Sequence, residues 1–230
     1  RIIGGQWKRT PLRVVDADGL RPTPDRVRET LFNWLDHLLA RDWHGQRCLD
    51  LFAGSGALGF EAASRGAATV LMVEALPSAC KALQATRDKL NAAQVEIRRS
   101  DALPLLGSLA GPFDLIFLDP PYGLQLLPTL LPACRRLLAP AGLVYAESDQ
   151  PFAAATADWL AGWQLLVGGE PLLADRQIPS RRRRPQTTRR RFAQQLASTI
   201  GGSSSWIRST SGSRSGRRLR CRRPPTSDRS

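Results

Sequence analysis

The stretch DPPY, Asp119 to Tyr122, puts a carboxylate, two prolines and an aromatic ring directly after the strand-forming run FDLIFL. Neither proline can donate a backbone hydrogen bond, so a strand stops there. A plain turn needs neither the acid nor the ring. Together these residues suit the handling of an aromatic exocyclic amine, a poor nucleophile because its lone pair is delocalised into its ring. The Asp119 carboxylate takes one N–H, and the Pro120 carbonyl, directed by Pro121, takes the other. Tyr122 offers a face on which an extruded base stacks, a contact worth about 1–3 kcal/mol. Such a set works by positioning and electrostatics, with Asp119 also able to receive the proton as charge develops on nitrogen.

A second constellation lies earlier. DLFAGSGALG, Asp50 to Gly59, holds Gly54, Gly56 and Gly59 in GxGxxG spacing, and Glu74 follows Gly54 by 20 residues. Glycines at a strand-to-helix turn let a ligand approach the backbone, and an acid at the next strand's end accepts from ribose hydroxyls. The spacing alone serves a nicotinamide dinucleotide, a flavin or S-adenosylmethionine. Asp50, four residues ahead of Gly54, favours the last: a pyrophosphate is repelled by a carboxylate, whereas an ammonium and a sulfonium are attracted. Asp101 in SDAL suits the adenine amino group, the N-cap of the next helix, or both.

These residues need a scaffold. Thr23 as N-cap and Pro24 at the first helical position open a helix whose apolar stripe runs through Val27, Leu31, Trp34 or Leu35, and Leu38; Arg26 and Arg28 fall off that stripe. From Arg47 short apolar runs alternate with helical stretches. The strands are RCLDLF, TVLMVE, VEIRR, FDLIFLD, GLVYAE and WQLLVGG. Helices are expected over ALGFEAASR and near 78–90, 103–109, 126–138 and 152–160. Apolar strands separated by helices predict an α/β, doubly wound, Rossmann-like, mostly parallel sheet. Ligands bind beyond the carboxyl ends of such strands, where strands one and four are neighbours. DPPY and the Gly-rich turn therefore meet.

Composition narrows the field. The chain has 230 residues, 42% of them hydrophobic, and a formal charge of +13. That excess is local: residues 1–174 carry 17 basic against 18 acidic side chains, and residues 175–230 carry 16 arginines against two aspartates. The pI therefore says nothing about nucleic-acid binding by the body. Three parts are expected: a basic N-terminal lead over 1–20, a catalytic domain over 21–174, and an Arg/Ser-rich tail over 175–230. The tail reads either as a disordered basic extension or as out-of-frame translation of a GC-rich gene. Four cysteines without CxxC or ligand spacing suggest reduced thiols, no metal site and a cytoplasmic protein. No apolar run is long enough to span a bilayer.

DLFAGSGALG, VE at 73–74, SDAL and DPPYG resemble the successive motifs of class I S-adenosylmethionine-dependent methyltransferases. The lead RIIGGQWKRTPL with GLRPTPDRVRETLFNWL narrows the likeness to the RsmD family, bacterial 16S ribosomal RNA guanine-N2 methyltransferases, over about residues 1–174. The resemblance implies S-adenosylmethionine as cofactor, and as partner the 16S rRNA within a small subunit or its assembly intermediate. A monomer with no membrane association is expected. Carried over by position, Asp50, Gly54, Gly56, Glu74 and Asp101 bind the cofactor, with Phe52, Ala53, Ser55, Ala75 and Ala102 beside them in the same motifs. Asp119, Pro120, Pro121 and Tyr122 form the amine site. Arg21, Thr23, Arg26, Arg28 and Asn33 match the family's RPT-DRVRE-LFN element and line the substrate side, and Arg1, Lys8, Arg9 and Arg13 contact phosphates.

Three rivals stay open: a DNA adenine-N6 or protein glutamine-N5 methyltransferase, a nicotinamide oxidoreductase, and a non-catalytic RNA-binding protein acting through its tail. The Asp of DPPY speaks against the first, whose members more often carry Asn there, and the oxidoreductase leaves DPPYG unexplained. Class I enzymes also insert an antiparallel seventh strand between the fifth and sixth. DRQIPSRRRRPQ offers none, so the sheet edge beyond GLVYAE is expected to be incomplete.

Overall fold

The computed structural model describes residues 1–13, 25–121, 124–148, 163–167, 170–171 and 203–209. The described residues hold five helices and eight strands, in the order α1 Asp25–Leu38, β1 Arg47–Asp50, α2 Ala57–Arg65, β2 Thr69–Glu74, α3 Pro77–Leu90, β3 Val95–Arg99, α4 Ala102–Ser108, β4 Phe113–Leu118, α5 Leu127–Arg135, β5 Leu138–Ser148, β6 Trp163–Val167, β7 Glu170–Pro171 and β8 Ser203–Ser209. The strands form one sheet in the order β3-β2-β1-β4-β5-β8-β6-β7. β1 pairs in parallel with β2 and β4, β2 with β3, and β4 with β5. The order reverses beside β1, so β1 and β4 flank the switch point.

Strands β1, β2 and β4 are buried along almost their whole length, because helices cover both sheet faces. On one face Phe32 and Leu35 of α1, Leu58 and Phe60 of α2 and Leu83 of α3 pack onto Cys48, Met72, Phe117 and Tyr145. On the other, Leu105 and Leu106 of α4 and Leu130 and Leu131 of α5 pack onto Leu49, Val73, Ile116 and Val144. Alternate strand residues thus feed two separate cores. Phe32 reaches the sheet directly, its ring 6.0 Å from that of Phe117.

Two expectations are corrected. The sheet edge beyond GLVYAE is not incomplete: β8 lies antiparallel between β5 and β6, with Tyr145 opposite Trp206 and Leu166 opposite Trp206 on the other side. The strand comes from inside the tail expected to be featureless, and it begins 17 residues after the end of DRQIPSRRRRPQ. Trp206 and Ile207 are strong strand formers, but flanking serines hide the apolar alternation that would announce a strand. Second, Arg28, expected off the apolar stripe and lining the substrate side, is turned into the protein instead. It is 3% exposed, donates to the Arg1 carbonyl at 2.8 Å and pairs with Asp25. The N-terminal lead covers that side of α1, so the helical pattern of α1 alone could not show it. The helix expected near 152–160 lies outside the described residues.

Candidate active site

Four parallel strand tips are laced together beyond the ends of the regular ladder. The Leu51 amide donates to the Phe117 carbonyl at 3.2 Å, Ala53 to Val73 at 2.9 Å, and Ser100 to Glu74 at 3.1 Å. These bonds make a continuous ledge of the β1, β2, β3 and β4 tips. Register aligns the strand ends: Asp50 pairs with Phe117 and Leu118 with Ala146, so the Gly-rich turn and Asp119 leave the sheet from adjacent strand ends.

The Gly-rich turn is shaped by three different demands. Gly54 and Gly56 have φ of 51° and 77°, the left-handed region that Cβ disfavours. Gly59 is needed for packing, since a Cβ there would come within 2.5 Å of the Met72 side chain and push α2 off β2. Glu74 fixes the turn from the neighbouring strand, its Oε2 accepting the Gly54 amide and its Oε1 the Leu76 amide, both at 2.8 Å. The carboxylate is 9% exposed and, with two oxygens, keeps acceptor capacity for a diol.

Asp50 lies under this turn, 1% exposed. Its Oδ2 accepts the Gly59 amide at 3.0 Å, while Oδ1 is buried with no hydrogen-bond partner among the described residues. Burial pushes its carboxyl up to about 7, against the downward pull of the Gly59 and Phe52 amides and with a further push from Glu74. An unpaired buried acceptor is costly. A cation at this spot would relieve that cost.

The remaining expected residues fall as follows. Phe52 and Ser55 are half-buried, Ala53 buried, Ala75 exposed and Ala102 buried at the start of α4. Asp101 is the N-cap residue of α4 but makes no side-chain capping bond, and it is exposed. Asp119 is half-buried, Pro120 buried and Pro121 exposed; Tyr122, Arg21 and Thr23 lie outside the described residues. Arg26 and Asn33 are exposed on α1, seven residues apart and so on one face. Among the described residues there is no cluster of His, Cys, Asp or Glu able to hold a metal, and no helix long and apolar enough to cross a membrane.

Sequence reasoning missed the anchor of the basic lead. Glu61, 0% exposed, accepts the Ile3 amide at 2.6 Å, the Gly4 amide at 2.8 Å and Arg65 Nε at 2.9 Å. Arg65 also reaches Asp36 at 2.7 Å and lies over the Phe32 ring. Ser64 adds bonds to Gly4 and Trp7. The lead closes on itself through Ile2–Thr10 and Arg9–Ile2 backbone bonds, which leaves Lys8, Arg9 and Arg13 exposed. A single acid amid the apolar residues of ALGFEAAS was the available signal.

A sheet in this order, a glycine turn braced by an acid on the next strand, and an acid-diproline at the tip of β4 define a Rossmann-like methyltransferase. The comparisons agree. Residues 1–166 match a family described as Conserved hypothetical protein 95. The ribosomal RNA small subunit methyltransferase D of Escherichia coli is 42% identical over 151 residues, 65% of this chain and 74% of its own length. That of Haemophilus influenzae is 38% identical over 156 residues, covering 65% and 79%. Among solved structures, yhhF from Escherichia coli, described as a methyltransferase, superposes with a TM-score of 0.62 at 41% identity, over 72% of this chain and 88% of that one. The chain belongs to the ribosomal RNA small subunit methyltransferase D family. A precorrin-6y methyltransferase from Geobacter metallireducens, 19% identical with a TM-score of 0.53, shares the fold alone.

Proposed function

We propose that this protein transfers a methyl group from S-adenosylmethionine to the exocyclic N2 amine of a guanine in the 16S rRNA of the small subunit or its assembly intermediate. The observation that supports the reading is the parallel pairing of Asp50 with Phe117 across the β1–β4 switch, since the Gly-rich turn and Asp119 follow directly on those two strand ends. An amine-holding carboxylate and a nucleoside-holding turn then share one ledge.

The residues present fit the cofactor. Asp50, with its buried unpaired Oδ1, suits the ammonium of the amino-acid end. Glu74 suits the ribose hydroxyls, and Asp101, unused as a cap, suits the adenine amine. The left-handed Gly54 and Gly56 let the backbone approach closely. When bound, S-adenosylmethionine supplies a methyl on a positively charged sulfur, and transfer leaves a neutral thioether.

The chain's own part is orientation and proton handling. Asp119 accepts one N–H of the amine and draws electron density toward nitrogen. The Pro120 carbonyl accepts the other, and Pro121 fixes its direction. Tyr122 stacks on the extruded base. As nitrogen gains positive charge, Asp119 stabilises it and takes the departing proton. Lys8, Arg9, Arg13, Arg26 and Asn33, all exposed, meet the RNA backbone.

Incubation with labelled S-adenosylmethionine and undermethylated small subunits, followed by digestion, tests the reading. N2-methylguanosine is expected. N6-methyladenosine, or label confined to protein, would overturn it.

A further inference from the structure

Phe117 pairs with Tyr145 and Leu118 with Ala146, so Asp119 and Glu147 are the next residues of two adjacent parallel segments. Paired positions on parallel strands lie about 4.8 Å apart and project to the same face. Glu147, on β5, therefore stands beside Asp119 at the next strand tip, on the face where Phe117 and Tyr145 pack. Its backbone is held from the other side by Ser204 of β8. Glu147 is 9% exposed, matching Glu74 at the tip of β2. The Tyr145 hydroxyl donates to its Oε1 at 2.7 Å. Nothing in the methyl-transfer chemistry above uses this carboxylate.

We propose that Glu147 accepts the N1–H of the target guanine while Asp119 accepts an N2–H, which makes Glu147 the residue that sets base identity. The inference rests on the guanine-N2 reading and adds the means of discrimination. Guanine presents N1–H and N2–H as adjacent donors on one edge, matching two acceptors on adjacent strand tips. Adenine offers an amine beside a bare N1 lone pair, which a carboxylate repels. A site built to accept a hydrogen bond rejects the analogue that lacks the donor, because its buried acceptor is left unpaired. Tyr145 holds the Glu147 carboxylate in one orientation; it is a positioning residue.

The test uses small subunits reconstituted with guanine or 2-aminopurine at the position the wild-type protein modifies. 2-Aminopurine keeps the 2-amine but has an acceptor at N1. Wild type is expected to favour guanine roughly ten- to hundredfold in kcat/KM. Glu147→Gln keeps an oxygen for the Tyr145 hydroxyl and turns an N–H₂ toward the base. It should lower that preference at least about tenfold, chiefly by losing guanine activity. Tyr145→Phe, which leaves the carboxylate in place, should give an intermediate ratio and covers the case in which the first variant folds poorly. A preference unchanged in both variants, with both substrates slowed equally, overturns the inference and leaves the guanine reading standing. Wild type that labels no guanine overturns both.

Discussion

Replacing Asp50 with Asn separates what the buried carboxylate costs the empty protein from what it contributes to cofactor binding. Burial raises its carboxyl to about 7, well above an ordinary aspartate, so the folded protein holds this proton more tightly than the unfolded chain. The contribution of this carboxyl to stability is therefore most favourable at about pH 4 and below and is lost as pH rises from about 4 to about 7. The full cost of about 4 kcal/mol is present above that range. Asn keeps an oxygen for the Gly59 amide and carries no charge. The variant should melt higher than wild type at pH 8, by several degrees at about 2–4 °C per kcal/mol, with the difference vanishing near pH 4. Cofactor binding runs the opposite way. An ammonium beside the carboxylate favours its ionised form, so binding to wild type expels a proton below pH 7, and the Kd should weaken about tenfold per pH unit there. Calorimetric titration of S-adenosylmethionine at pH 6 in buffers of different ionisation enthalpy measures that proton directly. Asp50→Asn should bind more weakly with no buffer-dependent heat. Equal heats across buffers for wild type would refute the reasoning, as would an Asn variant of unchanged affinity.

The other expectations concern separate parts of the molecule. Asp119→Asn should lower kcat at least about 10²-fold and leave S-adenosylmethionine affinity intact in a binding titration. Glu61→Ala strands two part-buried amides and Arg65, so a loss of about 3 kcal/mol is expected in denaturant unfolding. Its KM for small subunits should rise while cofactor affinity holds; a KM no different from wild type would show that the lead does not reach the RNA. Removing residues 201–230 strips β8 from between β5 and β6 and leaves both edges unpaired. The melting temperature should fall, and equal melts would show that the strand contributes nothing.

Local signals carried much of the fold and the site. Hydrophobic runs placed α2, α3, the parallel strands β1 to β5 and the outer strand β6 to within a few residues. Glycine spacing, the acid 20 residues on and the acid-diproline marked both halves of the ledge, because each is a contiguous segment whose backbone needs are written in its own residues. Tertiary structure alone decided three things. Arg28 is buried because a distant segment covers it, and helical periodicity knows only its own face. β8 joins the sheet because two strand edges stand open for it, which compensates for a sequence with little alternation. Glu147 stands beside Asp119 because register pairs residues 28 apart, and sequence spacing does not encode which strands become neighbours.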